Sequence, residues 1–352
     1  MTGTPCSAVR LDICTRYTEM GASSRLRYYL YRQELEKAGF QPVFHPLLDE
    51  TYLSRLYAGR GKSKFALFSA LVGRFFELFS YRNTLLVEYE LFPFIPASIE
   101  LALIGKRKYI LNFDDFVWEK YKNIPFLRDK YDQLIRRASG VIAANHLLYD
   151  RIKPLNSNVI LIPTVVDLDK YDIPAERPSE KKILKVAWIG TPVTYQECFL
   201  PFAETFRKIC SLYPLEFLLI AGKDLPVPEG INAVCAEWSA ENEAQLLSTC
   251  DFGIMPLADN DFSRGKSAYK LIQYAASGLP AVASPVGENC FFIDNGKNGF
   301  TAAGTDRWIE AVGKLFQPEL RRSMSENMRK KAFDYSLQKY APLLADFLRS
   351  CI

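Results

Sequence analysis

A chain of 352 residues is too long for one ordinary hydrophobic core and divides most simply into two domains. Apolar residues make up 49% and charged residues 24%, the balance of a folded globular protein, and a net charge of +4 is too small to argue for nucleic acid. The eight cysteines lack Cys-x2-Cys spacing and read as free thiols of a reducing compartment, while two distant histidines, His45 and His146, speak against a zinc enzyme. No basic-then-apolar leader opens the chain and no apolar run reaches the length of a membrane span, so a cytoplasmic protein is expected.

Short apolar runs alternate with amphipathic stretches, the pattern of parallel α/β units. Residues 9–14 read as the first strand, and Ser23 and Ser24 offer an N-cap for a helix over 25–38 that stops at Gly39. Strands follow at 42–45, 85–89, 109–113, 140–144 and 159–162, which predicts a doubly wound sheet of about six strands. The polar, proline-containing stretch 169–182 reads as a linker. The second half restarts with a strand at 184–189, a helix over 199–213, a strand at 216–221, a short edge at 235–238, a helix over 241–249 and a strand at 252–255. The segment 266–289 then carries a helix-like run, a small-residue stop at Gly278, an apolar strand over 280–283 and a second turn at 284–287. Surface helices at 306–315 and 318–332 lead to a last helical stripe at 340, 343, 344, 347 and 348.

The chemistry concentrates in that segment. Lys266 and Lys270 are four apart, share one face of a helix, and follow Arg264 and Gly265. Clustered cations beside a glycine turn and a helix N-terminus suit a diphosphate, and the plain alternative is a solvated helix face. Gly190 and Thr191 end the strand at 184–189, where a backbone can approach a ligand or simply turn into a helix. Lys223, after the next strand, is a further cation candidate. In the first half, Asp114 and Asp115 end the strand at 109–113, as functional carboxylate or as helix cap. Glu88 and Glu90 end another strand and are candidate acceptor-site carboxylates; Arg25 and Arg27 suit an anionic acceptor or a solvated helix start. Residues 62–82 combine Phe65, Phe68, Val72, Phe75, Phe76 and Phe79 with Lys62, Lys64, Arg74 and Arg82, which reads as a face for an anionic membrane surface or as a core helix.

The stretch 266–289 resembles the donor-sugar site of family 4 retaining nucleotide-sugar glycosyltransferases. Those enzymes usually carry a Glu-x7-Glu pattern ending five residues before a Gly-[Leu/Val]-Pro turn. Counting back from Gly278-Leu279-Pro280 puts Gln273 at the second glutamate and Gly265 at the first, which marks a divergent branch. The resemblance implies an α/β fold of two Rossmann-like domains facing across a cleft (GT-B), divided into residues 1–168 for the acceptor and 169–334 for the donor. It implies that the final helix, 335–352, crosses back onto the N-terminal domain. The implied reaction moves a sugar from a nucleoside-diphosphate sugar to an acceptor hydroxyl with retention, in cell-surface polysaccharide or lipid-linked glycan synthesis.

By the same resemblance Asp114 and Lys270 are catalytic. Gly190 and Thr191 lie against the donor phosphates, and no Arg or Lys follows in 194–200, so neutralisation falls to Lys266, Lys270 and Arg264. Gln273 bonds hydroxyls of donor sugar or ribose, unless it is a helix-surface glutamine, and the edge with Trp238 meets the nucleobase. Asp167-Leu168-Asp169 imitates a metal motif of another fold but matches this family's hinge, so neither metal nor cofactor is expected. The expected partners are the nucleotide sugar, a glycan or lipid-linked acceptor, and a membrane surface. Two other classes stay open: a non-catalytic nucleotide-sugar or glycan binder, and a two-domain sugar-nucleotide epimerase. The lack of a Gly-x-Gly-x2-Gly after any expected strand speaks against a dehydrogenase.

Overall fold

The computed structural model describes residues 8–57, 61, 63–81, 84–171 and 182–352. Lys62, Arg82 and most of the expected linker lie outside the described residues. The chain forms two compact units, Met1–Val165 with Leu337–Ile352, and Val166–Ser336.

In the first unit, strands β1 (Val9–Tyr17), β2 (Phe40–Leu48), β3 (Leu85–Glu88), β4 (Tyr109–Phe113), β5 (Gly140–Ala143) and β6 (Val159–Leu161) form one parallel sheet. The spatial order is β2-β1-β3-β4-β5-β6. Helices are α1 (Ala22–Arg27), α2 (Arg32–Lys37), α3 (Glu50–Tyr57), α4 (Lys64–Glu77), α5 (Ala97–Ile104), α6 (Lys130–Arg137) and α7 (His146–Ile152). Both sheet faces are buried, which explains the unbroken apolar runs. Leu85, Val87, Leu111 and Val141 pack on one face, and Leu11, Ile13, Leu86, Ile110 and Ile142 on the other. β2 outruns its expected four residues despite Pro42 and Pro46, because an edge strand tolerates missing donors.

The expected helix over 25–38 is broken by a 3₁₀ turn at Tyr29–Tyr31, beside the buried rings of Tyr28 and Tyr31. It starts earlier, from Gly21, so Ser23 and Ser24 lie inside α1 rather than at its cap.

The second unit carries β7 (Leu184–Ile189), β8 (Leu215–Ile220), β9 (Ala233–Ala236), β10 (Phe252–Met255), β11 (Ala281–Ala283) and β12 (Gly299–Thr301), all parallel, in the order β12-β11-β10-β7-β8-β9. Its helices are α8 (Pro192–Thr194), α9 (Ala203–Leu212), α10 (Glu243–Ser248), α11 (Asp261–Arg264), α12 (Tyr269–Ala276), α13 (Asn289–Phe292), α14 (Thr305–Lys314) and α15 (Pro318–Phe333). The helix expected from 199 instead begins as a π turn at Tyr195–Phe199 and a 3₁₀ turn at Leu200–Phe202, where Pro201 lacks a donor. The π turn aligns Tyr195 and Phe199 in a stack against Trp188.

The last helix, α16 (Leu337–Cys351), returns to the first unit. Ala341, Leu344, Ala345 and Leu348 cover the sheet face of Leu11 and Ile13, while Leu343 points outward, against the expected stripe. A Cβ on Gly140 would stand 2.6 Å from Cys351 Sγ and 2.8 Å from the Phe347 ring, so that glycine admits the helix.

Candidate functional site

Ligands of open parallel sheets bind outside the carboxyl ends of the strands. In the second unit, β7 ends in Gly190, where a Cβ would sit 2.6 Å from both Thr194 Oγ1 and the Trp188 ring. Thr191 caps α8 in a reciprocal capping box with Thr194, so its side chain serves the turn. Lys270 places its ammonium 5.6 Å from the centre of the Trp188 ring, beside that same strand end. Burial first, and the charge of Lys266 second, push the Lys270 ammonium down to about 8. Lys266 lies 4.3 Å over the Phe262 ring. Among the described residues neither lysine has a carboxylate partner.

The two lysines do not share a helix face as expected. α12 begins only at Tyr269, after Ala268 in the left-handed region at φ 51°, so Lys266 stands in the preceding turn. That turn is clamped from behind: Gly287 has φ 54°, and a Cβ there would meet Arg264 O at 2.5 Å. The loop at 284–287 therefore lies against the segment that carries the lysines.

The other expected donor residues have partners of their own or are buried. Arg264 turns to Asp259 at 2.7 Å and Asp261 at 3.5 Å on the surface, and Gly265 ends α11. Lys223 pairs with Glu237 at 3.1 Å, both well exposed. Trp238 donates its indole N–H to Glu243 at 2.6 Å. Gln273 is only 4% exposed, which rules out the helix-surface reading.

In the first unit a pocket opens at the carboxyl ends of β1, β2 and β3, lined by Thr15, Arg16, Leu47, Glu88, Tyr89, Glu90 and Pro93. Tyr89 adopts φ 60° in a tight turn closed by a 2.7 Å bond from Glu90 N–H to Glu88 O. A left-handed tyrosine costs about 1–2 kcal/mol, and such strain is typical of functional sites.

Glu88 is buried; its Oε2 accepts from Arg16 N–H at 2.7 Å and from Ser24 Oγ at 2.7 Å. Ser23 Oγ lies 3.0 Å from Glu88 Oε1 and 2.7 Å from Asp114 Oδ2, and Tyr89 donates to Asp114. Ser23 has one hydroxyl proton for two carboxyl groups, so the arrangement is complete when Glu88 carries a proton of its own. Burial, then the charge of Asp114, push the Glu88 carboxyl up to about 7.

Glu90 is also buried but bound into a charge network. Lys130 lies 2.6 Å and Lys120 2.7 Å away, and the Tyr121 and Tyr131 hydroxyls donate to it. Burial alone would raise its carboxyl; the two ammonium groups outweigh that and hold it below the usual range. Arg16 Nε is buried without a hydrogen-bond partner. Arg25 is half-exposed on α1, whereas Arg27 is a buried strut, bonded to Asn112 Oδ1 and Ile162 O, and is not available to an acceptor. The short 3₁₀ turn at Val117–Lys120 has Phe116, not Asp115, at its N-cap position.

On α4 the inner face packs Ala66, Leu67, Ala70 and Leu71 against Leu47, Leu48 and Tyr52. Arg74 is buried and donates to Thr15 O and His45 O. The aromatic face is turned out: Phe65 is 81% exposed, and Phe68, Phe76 and Phe79 are 66–67% exposed. A simple core helix does not account for that face.

Sequence reasoning singled out neither Glu243, Tyr171, Arg16 nor the roles of Ser23 and Ser24. Nothing in local spacing marks them, since each is defined by a partner distant in the chain. Among the described residues no group of three His, Cys, Asp or Glu side chains is placed to hold a metal ion, and no helix is long and apolar enough to cross a membrane.

The model of the family described as "Glycosyl transferases group 1" matches residues 184–317. No curated protein matches the sequence. Among solved structures, sucrose-phosphate synthase from Thermosynechococcus elongatus is similar at 15% identity over 97% of this chain and 98% of that one, with a TM-score of 0.69. A glycosyltransferase from Rickettsia africae ESF-5 is similar at 14% identity over 97% and 98%, with a TM-score of 0.66. HepE from Anabaena, solved with UDP-glucose, is similar at 12% identity over 97% and 99%, with a TM-score of 0.67. The chain is thus similar to group 1 glycosyl transferases through most of its second unit, and over nearly its whole length it has the GT-B fold of glycosyltransferases with two Rossmann-like domains.

Proposed function

We propose that this chain is a glycosyltransferase that moves a sugar from a nucleoside-diphosphate sugar to an acceptor hydroxyl, with retention at the anomeric carbon. The observation that carries the reading is the pair Lys266 and Lys270, without carboxylate partners among the described residues, beside Gly190 at the ligand-binding edge of the second sheet. Half-buried cations left unpaired suit a diphosphate, whose charge grows as the glycosidic bond breaks. HepE was solved with UDP-glucose, a donor of that class.

The first unit then holds the acceptor, in the pocket between Thr15, Arg16 and Glu90. Asp114, with its proton-sharing neighbour Glu88, is the catalytic carboxylate of this reading, and Arg25 lies on the helix beside it. Neither a metal nor another cofactor is part of the mechanism. The acceptor is a lipid-linked glycan. α4 supports this, because its inner face packs on Leu47, which lines the pocket, while its phenylalanines project to solvent. Residues 51–82 hold six Lys or Arg, of which Arg74 is buried, and one acid, Glu77, a balance that suits anionic lipid on the cytoplasmic side of a membrane.

The test is a panel of UDP- and GDP-sugars. Selective binding of one donor with slow hydrolysis, and release of the sugar in the donor's own anomeric form, is the expected result. Binding of none removes the reading; binding without turnover in the presence of lipid acceptors favours the non-catalytic alternative.

A further inference from the structure

We infer that Arg16 makes the first unit's pocket a site for an acidic group of the acceptor, a carboxylate or phosphate held by its guanidinium. This deepens the acceptor reading above and rests on it. The polar side chains that line the pocket are those of Thr15, Arg16, Glu88, Tyr89 and Glu90. All but Arg16 are committed to protein partners. The Thr15 hydroxyl donates to Tyr17 O and the Tyr89 hydroxyl to Asp114. Glu88 accepts from Ser24 Oγ, and Glu90 is held by Lys120 and Lys130. Among the described residues the Arg16 guanidinium makes no hydrogen bond and no ion pair, and its Nε, closed off from solvent, is left without a partner. The Tyr17 ring, centred 5.8 Å from the guanidinium carbon, uses none of its N–H groups.

The residue is nonetheless fixed in place. Its backbone N–H donates to Glu88 Oε2 at 2.7 Å, which pins the chain near the end of β1, and its side chain is half-buried. A half-buried cation without a counter-charge gives up hydration and gains nothing from the protein alone, so an anion that enters the pocket supplies what is missing. A guanidinium offers paired N–H groups in the plane of a carboxylate or phosphate, where an ammonium offers a point charge. The two carboxyls beside it do not oppose this. Glu90 is held by two ammonium groups, one of them shared with Glu100, and burial holds Glu88 toward its neutral acid. The role expected of Arg25 and Arg27 thus passes to Arg16, since Arg27 is bonded to Asn112 and Ile162 O and Arg25 reaches Glu19 O.

The test uses the full chain as wild type, Arg16→Gln and Arg16→Lys. Each is titrated with D-glucuronate, glucose 1-phosphate and neutral glucose, followed by ligand-observed NMR, with UDP present to fill the donor site. UDP and GDP affinity and melting temperature are measured separately. Wild type should bind one of the anionic sugars at least about tenfold more tightly than glucose, and the one it prefers separates a carboxylate acceptor from a phosphate one. Arg16→Gln should lose that preference and Arg16→Lys keep only part of it, while both bind UDP as wild type does. Neither variant should melt lower than wild type, because the side chain gives up no protein hydrogen bond. Wild type that binds UDP but favours neither anion overturns this inference and leaves the donor reading standing. So does a preference that Arg16→Gln retains, or a marked fall in its melting temperature, which would make Arg16 a strut of the fold. Loss of UDP affinity in the variants also overturns it, since the anion held would then be the donor's diphosphate. If wild type binds neither UDP nor GDP, the donor reading falls, and the acceptor role given to Arg16 falls with it.

Discussion

Replacing Glu88 by glutamine should stabilise the protein in mild alkali, although it alters a candidate functional residue. Burial and the charge of Asp114 raise the Glu88 carboxyl from 4.5 to about 7. A carboxyl raised in the folded state contributes stability that is complete below the unfolded value and lost as pH climbs through the folded one. Each tenfold in proton affinity is worth about 1.4 kcal/mol, so the loss between pH 4.5 and pH 8.5 amounts to about 3 kcal/mol. The glutamine side chain does not titrate, and its NH₂ can donate to Ser23 Oγ as the protonated acid does. Thermal melts of both proteins at pH 5 and pH 8.5 provide the assay. They should agree at pH 5, and E88Q should melt higher at pH 8.5 by on the order of 6–12 °C, at roughly 2–4 °C per kcal/mol for a unit of this size. A difference that is the same at both pH values would refute the proton-sharing account of Glu88, Ser23 and Asp114. Sugar transfer by E88Q should nonetheless fall, since a group kept at a cost in stability is characteristic of a working site.

Three further outcomes follow from the structure. Lys130→Met leaves Glu90 and Glu100 buried around a lost charge, and should cost about 3–5 kcal/mol near neutral pH in a melt, with a smaller deficit near pH 4.5 as the carboxyls protonate. Gly287→Ala places a Cβ 2.5 Å from Arg264 O at φ 54°, and should destabilise by about 2 kcal/mol or more while displacing the lysine-bearing turn, read as a lower melting temperature and weaker UDP binding. Phe68→Ser with Phe76→Ser on α4 should reduce sedimentation with anionic vesicles at least several-fold without lowering the melting temperature, because both rings are exposed in the folded chain.

The strands were legible because both faces of each sheet are buried, so runs such as YILNF and FGIM stand out as unbroken apolar stretches. β12 escaped notice because its Gly-Phe-Thr makes no apolar run of the kind that marks β6 and β11. Helix starts were less legible. Ser23 and Ser24 look like caps, but a buried carboxylate 64 and 65 residues away claims their hydroxyls. Lys266 and Lys270 look like a helical pair, but a left-handed Ala268 delays the helix, a backbone state that no local composition announces. Lys270 and Asp114 could be singled out because each follows a recognisable strand or turn. Their partners, Trp188 for the first and Ser23 and Tyr89 for the second, belong to the tertiary fold and were not readable in advance.

The central claim is that Lys266 and Lys270 form the diphosphate site. Calorimetric titration of UDP into wild type and Lys270→Ala, at fixed moderate salt, tests it most directly. The account predicts binding by wild type and a loss of about tenfold to a hundredfold in the variant, the worth of one charge-assisted contact, with melting temperature preserved. Equal UDP affinity in the two proteins would contradict it.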